Sequence, residues 1–258
     1  MYFDALATIA YRDFMKYVRN RPRIMFSLVF PAIFIGVLGG SFQSNFGSTI
    51  GFNFITFVFV GIVTQTMFST TAQGLISMAT DRDSNFTQEL LAAPIPRFVI
   101  LLGKIIGESL AAFTQLVGVV LIATVLGAQV SISQVAAILP AAALVGLMGG
   151  SFGVLVMANI KDPEAANQVF PLLMFPQFFL AGLFTPVRHL PIYLTILSHV
   201  TPLRYAVDLL RGIYYQGRPE YAKVVTSPAW INAIVVAALF VVFLAVGTFQ
   251  YSRNEKNK

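Results

Sequence analysis

The sequence predicts an all-α integral membrane protein. It has six transmembrane helices, an amphipathic helix lying in the membrane interface at the N-terminus, a short cytoplasmic helix between the second and third spans, and short external re-entrant helices before the last span. Three observations predict this. Hydrophobic residues make up 57% of the 258 and charged residues only 11%, against about 25% charged in soluble domains. The apolar runs are continuous and do not alternate, which argues for helices and against a strand barrel. The runs are flanked by Lys and Arg, as membrane topology requires. The whole chain, 1–258, reads as a single transmembrane domain.

The leader, residues 1–23, places Phe3, Leu6, Ala7, Ala10, Phe14, Tyr17 and Val18 at three- and four-residue steps, with Arg12, Lys16, Arg19 and Arg23 as a basic stripe. That pattern is an interfacial amphipathic helix; it serves either as a plain anchor or to position a partner. A bilayer core of about 30 Å takes roughly 20 residues of helix. Six stretches meet that need: 24–42, 52–78, 99–126, 135–158, 168–184 and 229–251. Before the last of them, residues 185–228 hold two short helical pieces. One runs from Leu190 to Val200. The other has Thr201 as cap, Pro202 at its first position and Gly217 beyond its end. On the second piece Arg204, Asp208 and Arg211 are spaced to pair with one another.

Orientation follows from the cations. The leader, the segment after the second span (Arg82, Arg97), the segment after the fourth (Lys161) and the tail (Arg253, Lys256, Lys258) are basic, while residues 43–51 and 127–134 contain no Lys or Arg. Both termini are therefore expected in the cytoplasm. The segment 185–228 is placed outside despite its five cations, because long external segments obey the rule weakly.

The composition also excludes. There is no cysteine and only two histidines, His189 and His199, so thiolate chemistry and a His-based metal cluster have no ligands. The net charge of +6 is spread along span flanks and does not form the single basic face that nucleic acid requires. The run Gly149-Gly150-Ser151-Phe152-Gly153 matches a nucleophile elbow. It lies inside an apolar span, where the elbow's strand-to-helix turn does not fit; an intramembrane serine protease is the enzyme alternative.

The segment 81–98, DRDSNFTQELLAAPIPRF, is compact and polar between two very apolar runs. Asn85 can cap a helix with Gln88 at its third position, and Pro94 ends it. Phe86, Leu90 and Leu91 then share one side, with Thr87, Gln88 and Glu89 offering hydrogen-bonding groups. Such a helix is either a docking knob or a well-capped turn. In the third span Lys104 and Glu108 lie one turn apart. They can pair with each other and snorkel, and intramembrane charges are also functional candidates. Gln65, Ser69 and Gln73 form a polar stripe in the second span, flanked by Thr66 and Thr70, which must face protein or water. Small-residue pairs at Gly36/Gly40, Gly103/Gly107, Gly146/Gly150 and Gly149/Gly153 permit close helix contact.

The stretch DRDSNFTQELLAAPIPRFVILLGKIIGESL resembles the cytoplasmic segment of ABC-2 type transporter permeases, with Thr87, Glu89, Leu90, Leu91, Pro94, Gly103 and Lys104 matching; Asn85-Phe86 departs from the usual Ser-Gly. A second stretch, LAGLFTPVRHLPIYLTILSHVTPLRYAVDLLRGIYY, resembles the family's fifth-span exit and external signature. Pro202, Leu203, Tyr205, Val207, Asp208, Leu210, Arg211 and Gly212 carry that match. The resemblance implies a permease of an ATP-driven exporter in the cytoplasmic membrane of a prokaryote. This chain has no phosphate loop, so ATP and magnesium would be held by a separate nucleotide-binding subunit, and this chain would bind no cofactor. Two permeases, as a homodimer, would pair with two ATPases. Phe86, Thr87, Gln88, Glu89, Leu90 and Leu91 would be the coupling helix, and Lys104 and Glu108 would transmit motion. Gln65, Ser69, Gln73, Phe175, Gln177 and Phe178 would line the translocation path. A drug-like or lipophilic substrate suits such spans, and the resemblance also allows a polysaccharide, whose passage can use aromatic surfaces. A stand-alone channel or an ion-gradient-driven transporter is the alternative.

Overall fold

A computed structural model describes residues 2–80, 95–160, 163–187 and 191–256, and every regular element among them is helical. Helix α1 (Tyr2–Arg19) opens on Asp4 and closes on Lys16 and Arg19, charges that complement the helix dipole at each end. Asn20 then breaks the chain, and its Oδ1 accepts from the Arg23 amide at 3.1 Å to cap α2 (Arg21–Ser27).

The first span is one continuous apolar stretch, Arg21–Gly47, but not one regular helix. After α2 come α3 (Val29–Ile33), a π-helical turn (Phe34–Gly39) and α4 (Gly40–Ile50). Pro31 explains the first interruption. It has no amide proton for the carbonyl of Ser27 four residues back, and in a membrane that carbonyl needs another donor. Gln115 supplies it, donating Nε2–H to Ser27 O at 2.8 Å.

Helix α5 (Phe54–Thr80) is capped by Asn53, whose Oδ1 accepts from the Thr56 amide and hydroxyl at 2.8 and 2.9 Å. It is the axis of the fold, touching α6 (Arg97–Val125), α7 (Ile132–Asn159), α8 (Pro163–Leu180), α10 (Pro202–Tyr214) and the π turn. The small residues explain how it fits. A Cβ at Gly149 or Gly153 would run into the α5 backbone at Phe68 and Ala72. A Cβ at Gly103 or Gly107 would meet the α1 carbonyls of Leu6 and Ala10 at 3.1 and 2.8 Å. Gly36/Gly40 behaves differently: Gly40 has nothing within 4 Å and Gly36 touches only the Leu126 side chain.

Beyond α8 the chain turns at Gly182 (φ +76°) and forms α9 (Ile192–Val200), α10, α11 (Tyr221–Val224) and α12 (Ala229–Lys256). Among the described residues, five stretches are long and apolar enough to cross a membrane: Arg21–Gly47, Phe54–Ser77, Arg97–Val125, Ile132–Asn159 and Tyr221–Arg253. The span predicted at 168–184 is helix α8. Its Asn167, Gln168, Pro171 and Pro176 dilute the hydropathy that the other five retain.

Two expectations about faces change. The side of α1 that packs on α6 carries Ile9, Ala10, Asp13 and Tyr17, whereas Phe3 is 79% exposed. A helix offers one stripe to its neighbour, and here a carboxylate takes a place in it because Lys104 stands opposite. On α10, Arg204, Asp208 and Arg211 do not pair along the helix. Arg204 donates to Ser198 Oγ at 2.9 Å, Asp208 accepts from the chain before α12, and Arg211 donates to carbonyls.

Candidate functional site

A cavity of about 570 Å³ opens between the first span, α5, α6 and α8. Its floor is the polar stripe of α5. Gln65 Nε2 donates to Ser69 Oγ at 3.3 Å, and Thr70 Oγ1 donates to Gln115 Oε1 at 2.8 Å. Gln115 thus serves two purposes, closing the Ser27 carbonyl with its amide nitrogen and holding Thr70 with its oxygen. The Thr66 hydroxyl is buried, lines the cavity and has no hydrogen-bond partner among the described residues. Gln73 faces the open space.

The opposite wall is aromatic. Phe30 of the first span meets Phe178 of α8 with ring centroids 5.8 Å apart. Phe170 and Phe175 extend that wall, and the lining residues Phe26 and Phe175 are 76% and 61% exposed. A second hollow of about 260 Å³ shares Arg23, Gln73, Phe170 and Pro171 with the first and continues along Ile76, Ser77 and Asn167. The structure therefore brings together Gln65, Ser69, Gln73, Phe175 and Phe178. Gln177 stands apart: it does not line the cavity, and its Nε2 donates to its own helix at Leu173 O, 3.3 Å away. Tyr17, Arg23 and Gln115 also line the cavity and were not singled out for it in the sequence. Only tertiary packing places a leader tyrosine and a residue 88 positions from Ser27 on one wall.

Lys104 and Glu108 sit beside this cavity but do not bond to each other. Lys104 Nζ lies 3.5 Å from Asp13 Oδ2, and Glu108 Oε2 lies 3.9 Å from Arg23 Nη2. Glu108 is 5% exposed and packs on Gly74 of α5, where any side chain would collide with its carboxylate. Lys104 and Glu108 are thus both tied to the N-terminal segment, which packs along this side of α6.

At the other end of the bundle Asp208 accepts from the amides of Thr226 and Ser227 at 2.8 and 2.7 Å and from Asn232 Nδ2 at 2.9 Å. It gathers the loose donors ahead of α12, as a capping carboxylate does within a single helix. Arg211 donates to Leu183 O at 3.1 Å and stacks on Phe57. Burial pushes its guanidinium down to about 10, with nearby Tyr215 and Asp208 acting the other way. Tyr205 donates its hydroxyl to His199 O at 2.8 Å, and Pro202 opens α10. Thr201 stands at the cap position as expected, yet its hydroxyl donates back to Leu197 O at 3.0 Å and caps nothing in α10. These residues fasten α8, α10, α5 and α12 together.

The elbow-like run lies wholly within α7, where Ser151 is fully buried and gives its hydroxyl to Met148 O at 2.8 Å. A nucleophile spent on its own helix, with no strand before it, has no elbow geometry. His189 and the segment Phe86, Thr87, Gln88, Glu89, Leu90 and Leu91 lie outside the described residues.

A family model described as ABC-2 type transporter matches residues 4–215. Among curated proteins, "Putative transport permease ycf38" of Cyanophora paradoxa is 24% identical over 83% of this chain and 75% of its own length. Nodulation protein J of Rhizobium meliloti is 27% identical over 74% of this chain and 73% of its own. "Probable multidrug ABC transporter permease YbhR" of Escherichia coli is 25% identical over 63% of this chain, a match that spans 44% of that longer protein.

Proposed function

The chain belongs to the ABC-2 type transporter family, and on that footing we propose that it is the membrane subunit of an exporter in the cytoplasmic membrane of a prokaryote. As a permease of this family it works with a separate nucleotide-binding ATPase subunit. In our reading, two copies of this chain form a homodimer and both termini are cytoplasmic. Helix α8 is a further span, the fifth of six in chain order, and α9 and α10 dip into the outer leaflet. The exposed Ile192, Ile196 and Val200 of α9, at 75%, 61% and 78%, support that last point, since such a stripe suits lipid or a partner helix.

The observation that carries the proposal is the cavity. Its Gln65, Ser69 and Gln73 face Phe175 and Phe178 across about 570 Å³, a polar floor beneath an aromatic wall inside an apolar bundle. In our reading this is one half of the translocation path, the other half coming from the second copy. A lipophilic, drug-like compound would enter sideways between Phe26 and Phe175.

Drive would come from the segment Phe86–Leu91, seated on the ATPase as coupling helix. It joins α5 to α6, so a push there would tilt both. Helix α1 would follow α6, being held to it at Gly103, Gly107 and through the Lys104–Asp13 pair. Glu108 would carry the movement to Arg23 at the cavity wall. This is rigid-body switching. The test is purification of the tagged protein from its native cell with ATPase assayed on the eluate. A nucleotide-binding subunit should co-purify and be lost in Glu89→Ala/Leu90→Ala; an ATPase-free permease that still transports down an ion gradient would refute the proposal.

A further inference from the structure

We propose that the cavity selects an amphipathic anion. Arg23 would receive its phosphate or carboxylate, and the Phe30–Phe178 wall its apolar part. This rests on reading the cavity as the substrate's path. Among the described residues that line the cavity Arg23 is the one charged side chain, so at that point a cation would meet repulsion and an anion attraction.

The partner that Arg23 already has leaves it available. Glu108 Oε2 lies 3.9 Å from Arg23 Nη2 and has no hydrogen-bond partner, so charge alone links them. A phosphate or carboxylate in the cavity could instead make the two-pronged hydrogen bonds for which a guanidinium is shaped. The Arg23 side chain is 38% exposed and can turn toward such a guest, whereas that of Glu108, at 7%, is confined by Gly74 and cannot follow. The Tyr17 ring, 5.2 Å from the Arg23 guanidinium carbon, supports the cation at the cavity wall. Thr66 is a second sign of a guest. Its hydroxyl is on the lining, 2% exposed and unpartnered, and buried polar groups ordinarily find partners. Glu108 is thus a resident competitor that holds Arg23 in place until an anion displaces it.

The experiment uses the full chain in phosphatidylcholine nanodiscs and two probes of equal tail length, dodecyl phosphate and dodecyltrimethylammonium. The phosphate should bind at least about tenfold more tightly. Arg23→Gln should abolish that preference and Arg23→Lys should keep part of it. Glu108→Gln should strengthen phosphate binding, the opposite of what damage to a structural pair would do. Equal affinity for both probes, or a preference that survives Arg23→Gln, would overturn the inference; so would weaker phosphate binding in Glu108→Gln, which carries the test alone if Arg23→Gln does not fold. Inorganic phosphate at the same concentration should not compete, and full competition would refute the need for an apolar part. Phe175→Ala and Gln65→Ala separate the two readings. If they weaken both probes while no charge preference exists, only the anion inference falls. If they change neither, the cavity is not the binding site and the path reading falls with it.

Discussion

The guanidinium carbon of Arg211 lies 3.5 Å from the centre of the Phe57 ring, and Arg211 Nη2 also donates to the Phe57 carbonyl at 3.4 Å. One side chain therefore fixes the start of α5 from α10 by stacking and hydrogen bonding at once. It holds the turn after α8 through Leu183 O as well. The approach is possible because Gly61 has no Cβ, which would stand 2.9 Å from that same carbonyl.

Arg211→Lys should therefore behave as a damaging change. An ammonium cannot stack and reach two carbonyls in the same geometry, and a buried acceptor left unmade costs about 1–3 kcal/mol. Thermal unfolding in detergent should show a lower midpoint for Lys and a lower one still for Met. With its guanidinium at about 10, Arg211 is a cation throughout the neutral range. Burial disfavours that cation, so the part of its cost that comes from charge is relieved only as pH rises above about 10, well outside the neutral range. The gap between wild type and Arg211→Met should stay flat between about pH 6 and 8.

Asp208→Ala should loosen the entry to α12. Capping carboxylates are worth about 0.5–2 kcal/mol, and Asp208 serves two amides and Asn232 together. Asp208→Asn retains one acceptor and loses the charge, so its midpoint should fall between wild type and Ala. Amide exchange at Thr226 and Ser227 should quicken in the same order.

Lys104 and Asp13 form a double-mutant test. Removing one member of an enclosed ion pair costs about 3–5 kcal/mol, while replacing both with apolar groups is often close to neutral. Their side chains are 11% and 5% exposed. Lys104→Met should thus destabilise strongly, and Lys104→Met/Asp13→Leu should regain most of the loss. Additive losses in thermal unfolding would mean that the pair contributes little.

Gly153→Val should be among the worst substitutions in the molecule, because its Cβ would enter the α5 backbone at Ala72. Overpacking of this kind costs about 1–3 kcal/mol or more. Gly40→Ala meets nothing within 4 Å and should be neutral, or stabilising by about 0.5–1 kcal/mol through helix propensity. Yield and unfolding midpoint of the two purified variants check this.

The polar stripe Gln65, Ser69 and Gln73 could be read directly, since four-residue spacing puts such residues on one helix face whatever surrounds it. The same periodicity could not say that Gln177 points away from the cavity while Phe175 and Phe178 border it. Small-residue spacing picked out Gly149/Gly153 and Gly103/Gly107, but it picked out Gly36/Gly40 equally, because glycine marks room for an approach without naming what approaches.

By itself the sequence determined that the chain is an all-helical membrane protein, and the order and approximate position of its long apolar helices among the described residues, because hydropathy, Pro and Gly act within a few residues of chain. The tertiary structure decided the pairing of charges. Lys104 and Glu108, spaced to meet each other, are instead tied to Asp13 and Arg23, and Asp208 reaches past its own helix to Asn232. Electrostatic partners inside an apolar bundle are chosen by which helix packs nearest, and that distance is fixed by glycines and side-chain volumes far along the chain.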